Sequence, residues 1–237
     1  MKPNIILIPI TVGFLSLIGC AKEIDQVDVA QGTLNVTNAV NEGANITLTE
    51  GSAITYGSNT VGSNSYTRFP LAGGNQIISL GVPGVPATAS SAAIPGLTYY
   101  TSTLSISNNS NYSLFLTGTS PSAVDNVLIE ENYPFAYADS TCGVRFINLA
   151  TGSNPISVNI MGNANGSEVA NLAYKSYSSF VKYPATAVNS TYDFEFRDSG
   201  TGALLASYSL STPYFHNATL CFTGQTGDYG IVMDYDY

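Results

Sequence analysis

The sequence predicts an all-β protein built as two tandem β-sandwich domains, on three observations: its composition, its alternating runs and an internal repeat. Ser, Thr, Asn and Gly abound, tyrosine occurs 16 times, and charged residues make up only 10% of the 237. That is the palette of β-strands joined by tight turns. An apolar content of 44% is enough for a core in each half. Alternating polar and apolar runs recur between turn signals, and no segment reads convincingly as a helix.

The repeat is carried by three blocks in the same order. Val36-Thr37-Asn38-Ala39 returns as Phe146-Ile147-Asn148-Leu149, Tyr66-Thr67-Arg68-Phe69-Pro70 as Phe180-Val181-Lys182-Tyr183-Pro184, and Leu114-Phe115-Leu116-Thr117-Gly118 as Leu220-Cys221-Phe222-Thr223-Gly224. Each match lies about 110 positions on, with small differences of the kind that loop changes leave after a duplication. The expected domains are residues 31–133 and 141–237, joined by a linker at 134–140. Copies of about 100 residues suit a small sandwich.

In the second copy, residues 144–150 and 156–161 read as strands around the turn Thr151-Gly152-Ser153-Asn154-Pro155. Residues 192–197 alternate aromatic with charged side chains, which predicts a half-buried strand with Asp193 and Glu195 toward solvent. Strands at 203–210, 220–224 and 229–235 follow, and a short turn is expected near residues 169–173. On the last strand the alternation places tyrosines inward and Asp228, Asp234 and Asp236 outward. The first copy is about eight residues longer between its Pro70 block and Leu104, within the Pro/Gly/Ala-rich stretch 81–96. Longer loops on a rigid scaffold are where binding tends to reside. Pro83, Pro86 and Ile94, with Tyr99 and Tyr100 directly after, are therefore the candidate binding loop, although an uncommitted surface loop fits the same composition.

The second copy also resembles a known family. Gly143-Val144-Arg145-Phe146-Ile147-Asn148-Leu149, followed by Ile156-Ser157-Val158-Asn159-Ile160-Met161-Gly162, is similar to the opening of domain-of-unknown-function family 4397. Tyr183-Pro184-Ala185, Tyr192-Asp193-Phe194 and Leu220-Cys221-Phe222-Thr223-Gly224 continue the likeness. The first copy departs from it, with Asn35 in place of the arginine and Thr47 in place of the family's Asp. The resemblance implies immunoglobulin-like sandwiches in secreted or surface-anchored bacterial proteins, often in tandem. It implies no established chemistry.

The N-terminus reads as an address. Lys2 precedes an apolar run over residues 5–18, too short for a bilayer-spanning helix and of the right length for a signal-peptide core. Leu17-Ile18-Gly19-Cys20 resembles the lipobox of bacterial lipoproteins. The expectation is a signal peptide at 1–19, lipidation of Cys20, and a linker at 20–30 leading to the first domain. A multiply acylated cysteine anchors durably, since each buried CH₂ contributes about 0.8 kcal/mol. Ala21 after the cysteine points by resemblance to the outer membrane, and Lys22-Glu23-Ile24-Asp25 to surface export, with a periplasm-facing anchor as the alternative.

Cys142 and Cys221 remain, both in the second copy. An exported protein permits a disulfide between them, and two separate buried thiols are the alternative. In that pairing Phe115 would fill the space beside Gly32, the positions equivalent to Cys221 and Cys142. No cofactor or metal site is expected. His216 is the sole histidine, so a hydrolase would depend wholly on it. Glu130 and Glu131, adjacent in sequence, point apart on a strand, and the Asp193/Glu195 pair sits on a solvent face, so neither suits glycoside cleavage; the C-terminal aspartates lack calcium-loop spacing. A net charge of −9 with scattered basic residues disfavours nucleic acid. These readings converge on a non-enzymatic, lipid-anchored interaction or adhesion module whose partners are the membrane, through Cys20, and a surface protein or glycan. A carbohydrate-binding lipoprotein is the alternative.

Overall fold

Strand-forming β-branched and aromatic residues, alternating in and out and punctuated by Gly and Asn turns, account for all the regular structure in the computed structural model, which describes residues 31–50, 59–133, 140–211 and 216–236. The first copy contributes β1 (Gln31–Val40), β2 (Ile46–Glu50), β3 (Thr60–Val61), β4 (Ser65–Ala72), β5 (Gly74–Val82), β6 (Leu97–Ile106), β7 (Asn111–Ser120) and β8 (Ala123–Glu130). The second contributes β9 (Thr141–Asn148), β10 (Ile156–Ile160), β11 (Val169–Leu172), β12 (Val181–Pro184), β13 (Thr191–Asp198), β14 (Leu204–Ser211), β15 (Asn217–Gln225) and β16 (Asp228–Asp236). Residues 169–172, expected as a turn, pair with β10 instead.

Each copy is a sandwich of two four-stranded sheets with one wiring. The order β4-β1-β7-β8 matches β12-β9-β15-β16, and β3-β2-β5-β6 matches β11-β10-β13-β14. The parallel pairing of first and seventh strands occurs in both copies. Period-2 alternation sends Leu34, Val36, Leu114 and Leu116 onto Ile46, Leu48, Ile78 and Leu80 to make the first core. The second core is aromatic: Phe146 meets Phe194 edge-on at 5.2 Å, and Phe196 stacks on Phe222 at 5.8 Å.

The other faces of β1, β7, β9 and β15 are buried too, because the two sheets that contain them pack on each other. Ala39, Phe115 and Ile129 of the first copy form one cluster with Ile147, Leu149, Cys221 and Val232 of the second. Polar groups flank it. Arg145 donates both terminal nitrogens to Glu131, at 3.0 and 2.7 Å, and its Nε to Thr219, with its guanidinium 4.5 Å from the centre of the Phe180 ring. Asp234, 0% exposed, accepts from Asn35 at 2.5 Å and from Thr37 at 2.7 Å. Asp234 and Glu131 are thus junction residues, and the outward face expected of the last strand is covered by the sister copy.

The junction has twofold character. Asn35 and Arg145 occupy equivalent positions and each reaches an acid in the other copy, while Asn41 and Thr151, also equivalent, touch each other at 2.7 Å. Contacts climb in the same order along β1 and β9, so both first strands end at the same pole. That distal pole carries the turns after β1, β5, β7, β9, β13 and β15. Gln31, where the described chain begins, lies at the opposite, proximal pole beside Ala72.

Candidate functional site

The longest feature of the distal pole grows out of β5 and β6. Beyond Val82 and Leu97 the two strands continue as a finger through the bridges Val85–Ile94 and Thr88–Ser91 to a turn at Ala89-Ser90. Val85 and Ile94 exchange both backbone hydrogen bonds, at 2.8 and 2.9 Å. Gly84 and Gly96 let the strands approach closely, since a Cβ on Gly84 would lie 2.8 Å from the Gly96 nitrogen. Residues 83–98 are exposed throughout, Val85 at 52% and Ile94 at 63%. No charged side chain occurs anywhere between Arg68 and Asp125. Pro83, Pro86 and Pro95 remove backbone donors along the finger, which blunts its edges against strand addition. Contact by this element is therefore through side chains.

Tyr99 and Tyr100 do not belong to the finger surface, contrary to the sequence expectation. They are 6% and 8% exposed and sit in the first core, where the Tyr99 hydroxyl accepts from the Ala44 nitrogen. Two adjacent residues can both turn inward because the ladder shifts register beside them: Leu80 pairs with Tyr100 but Gly81 with Thr98.

Among the described residues, three clefts open on the distal pole. One of about 320 Å³ sits at the finger base, between Thr47, Ser79, Gly81, Pro83 and Thr98. A second, about 560 Å³, lies between Asn154, Asp198, Leu204, Thr226 and Tyr229. A third, about 370 Å³, spans the junction, with Asn41, Glu42 and Asn64 from the first copy facing Gln225, Asp228 and Tyr229 from the second. Asp228 and Tyr229 line both of the last two. Asp198 accepts from Asn154 and from the Thr201 backbone, which hold its carboxyl below the usual range and fix the rim. A fourth cleft, about 420 Å³ at the proximal side, is lined by the Arg145–Glu131 pair with Tyr177 and Phe180.

The remaining sequence candidates divide as follows. Cys20, the signal peptide and the linker at 20–30 lie outside the described residues, as do residues 134–139 of the second linker. No disulfide joins Cys142 to Cys221; both are buried thiols on opposite faces of one sheet, Cys142 toward the second core and Cys221 toward the junction. The alternation that separates them is the physical reason, and burial pushes the Cys142 thiol up to about 11. Gly32 accordingly packs on Ser110 and Ile106, while Phe115 fills the junction. His216 is exposed at the proximal entry to β15. Glu195, expected in solvent, is 9% exposed and held by Asn159 at 2.7 Å and Arg197 at 3.0 Å, which lower its pKa. Sequence reasoning missed the junction cleft, because its two walls come from turns that only the packing of the copies brings together.

The fold and its clefts define a class: a tandem β-sandwich protein with the finger and three clefts at one end. No protein-family model matches the chain, and no curated protein matches its sequence. Among solved structures, a family 26 carbohydrate-binding module from Eubacterium rectale, in complex with maltoheptaose, is similar over 85% of this chain and 95% of its own. Identity is 13% and the TM-score 0.28, a likeness too loose to transfer a site.

Proposed function

We propose that this chain is a non-enzymatic module of a bacterial envelope, anchored by lipid on Cys20 at the outer membrane and displayed at the cell surface, where its distal pole engages a partner. One observation carries the reading: the finger and three clefts sit at the pole opposite Gln31, the end from which a tether on Cys20 would arrive. A tethered body offers its far end to what lies beyond the membrane. The finger supports a contact role, being exposed and uncharged, with its two strands joined by backbone hydrogen bonds at Val85–Ile94 and Thr88–Ser91. The likeness of the second copy to family 4397 belongs to the same reading.

Photo-crosslinking on intact cells tests it. A crosslinking residue at position 85 or 94 should yield adducts, and one at Asn109 in the proximal turn should not. Equal labelling at both poles contradicts the reading. The anchor is tested separately: radiolabelled palmitate should enter the mature chain and be lost in Cys20→Ser.

A further inference from the structure

We infer that the junction groove, the two clefts that share Asp228 and Tyr229, is a binding site for an uncharged oligosaccharide. The inference sharpens the reading above by naming a ligand class, and it rests on that reading only for the pole being accessible.

One of the two clefts takes its walls from both copies and the other lies within the second copy, so the full groove is completed by the assembled pair. Asn41 staples them at its floor, donating to Thr151 at 2.7 Å and to the Gly224 carbonyl at 3.4 Å. The Thr151 nitrogen also donates to Gly224 O, at 2.9 Å. A ligand therefore meets preformed walls. Glu42 stands in the turn closed by Gly43 N to Val40 O and is held at φ 54°, a left-handed backbone unusual for glutamate. At that turn its exposed carboxylate lines the groove.

The chemistry of the lining selects the ligand. Carboxylates of Glu42 and Asp228 accept hydrogen bonds, and amides of Asn64, Gln225 and Asn154 both donate and accept. Hydroxyl groups, each donor and acceptor at once, match this mixture better than a peptide does. Tyr229, half-buried with its ring centred 4.8 Å from Phe222, and Leu204, 52% exposed, supply apolar surface for the C–H face of a sugar ring. No lysine or arginine lines either cleft, which works against anionic glycans. Volumes of about 560 and 370 Å³ on the two sides of Tyr229 are of ligand-site size, with room for more than one sugar ring.

The test is calorimetric titration of the full mature chain with maltoheptaose, cellohexaose, xylohexaose and chitohexaose as uncharged probes, and sialyllactose as an anionic control. At least one uncharged probe should bind. Tyr229→Ala should weaken it about ten-fold or more. Tyr229 packs on Phe222 and its loss could unsettle the fold, so Asp228→Asn and Glu42→Gln, both at exposed positions, serve as the second arm; each should weaken binding several-fold with an unchanged melting temperature. Asn109→Ala should change nothing. Absence of binding by every uncharged probe at millimolar concentration overturns the inference. So does binding that survives all three groove variants, or preference for sialyllactose. If no sugar binds while positions 85 and 94 still crosslink on cells, this inference falls and the interaction reading stands; if sugars bind but crosslinking is uniform, the reverse holds.

Discussion

The two joining sheets and the two outer sheets have the same strand order, yet they have kept very different amounts of shared sequence. All three repeated blocks lie in the joining sheets, on β1 and β9, β4 and β12, β7 and β15. The outer sheets carry no block of comparable likeness, and one of them bears the finger. The central strands of the joining sheets, β1, β7, β9 and β15, are buried on both faces, so a substitution there must suit a core and a junction at once. An outer strand answers to one core, and its turns answer to solvent or a partner. The difference teaches where recognition can evolve here: in turns of the distal pole, with the joined sheets as the frame.

Breaking the frame should cost most. Phe115→Ala empties the junction cluster and should destabilise by about 3–5 kcal/mol in thermal or denaturant unfolding. Arg145→Met leaves Glu131 buried without its cation and should cost a similar amount, about 3–5 kcal/mol. Adding Glu131→Leu to it should recover most of the loss, because desolvating an apolar pair carries no such penalty. A double variant no better than the single would show that the pair is not what Glu131 answers to.

A smaller effect should come from the glycine that closes the last block of each copy. Gly118 and Gly224 have φ of 151° and 95°, and a Cβ on either would come within 2.1 Å of a carbonyl across the turn. Gly224→Ala should cost at least about 1–2 kcal/mol, and it should also disturb sugar binding, since Gly224 lines the groove. Equal stability of Gly224→Ala and the parent would remove the account of why both blocks end in glycine.

Glu195 sharpens the comparison through pH. Asn159 and Arg197 hold its folded pKa below the ordinary carboxylate value. Its contribution is therefore fully present above that ordinary value and is lost as pH falls through the lowered one. Glu195→Gln should flatten this part of the acid limb in a stability-against-pH series and leave the limb above neutrality unchanged. The smallest effect belongs to the finger: Val85→Ser and Ile94→Ser should stay within about 0.5 kcal/mol of the parent, because these side chains are exposed. A larger loss would make the finger structural.

How much of this was legible follows from what alternation can and cannot say. Strands, turns and the duplication were readable, since period 2 and the paired blocks are local or self-referring signals. What covers a face is not local. Asp234 reads as solvent-facing until the sister sheet is laid over it, and Glu131 as half of an idle acidic pair until Arg145 arrives. Cys142 and Cys221 could be read as partners because a first and a late strand of a sandwich can be neighbours; their strands are indeed adjacent, but an even and an odd position on them face opposite ways. Tyr99 and Tyr100 depended on a register shift that no spacing announces. The finger's position was visible as extra length, but the groove was not, as it is assembled from turns far apart in the chain.

Differential scanning calorimetry of the full mature chain tests the central claim most directly, that matched sheets fuse the copies into one body with a shared pole. The account predicts a single transition whose calorimetric and van't Hoff enthalpies agree, splitting in two when Phe115→Ala loosens the junction. Two independent transitions in the parent protein would contradict it.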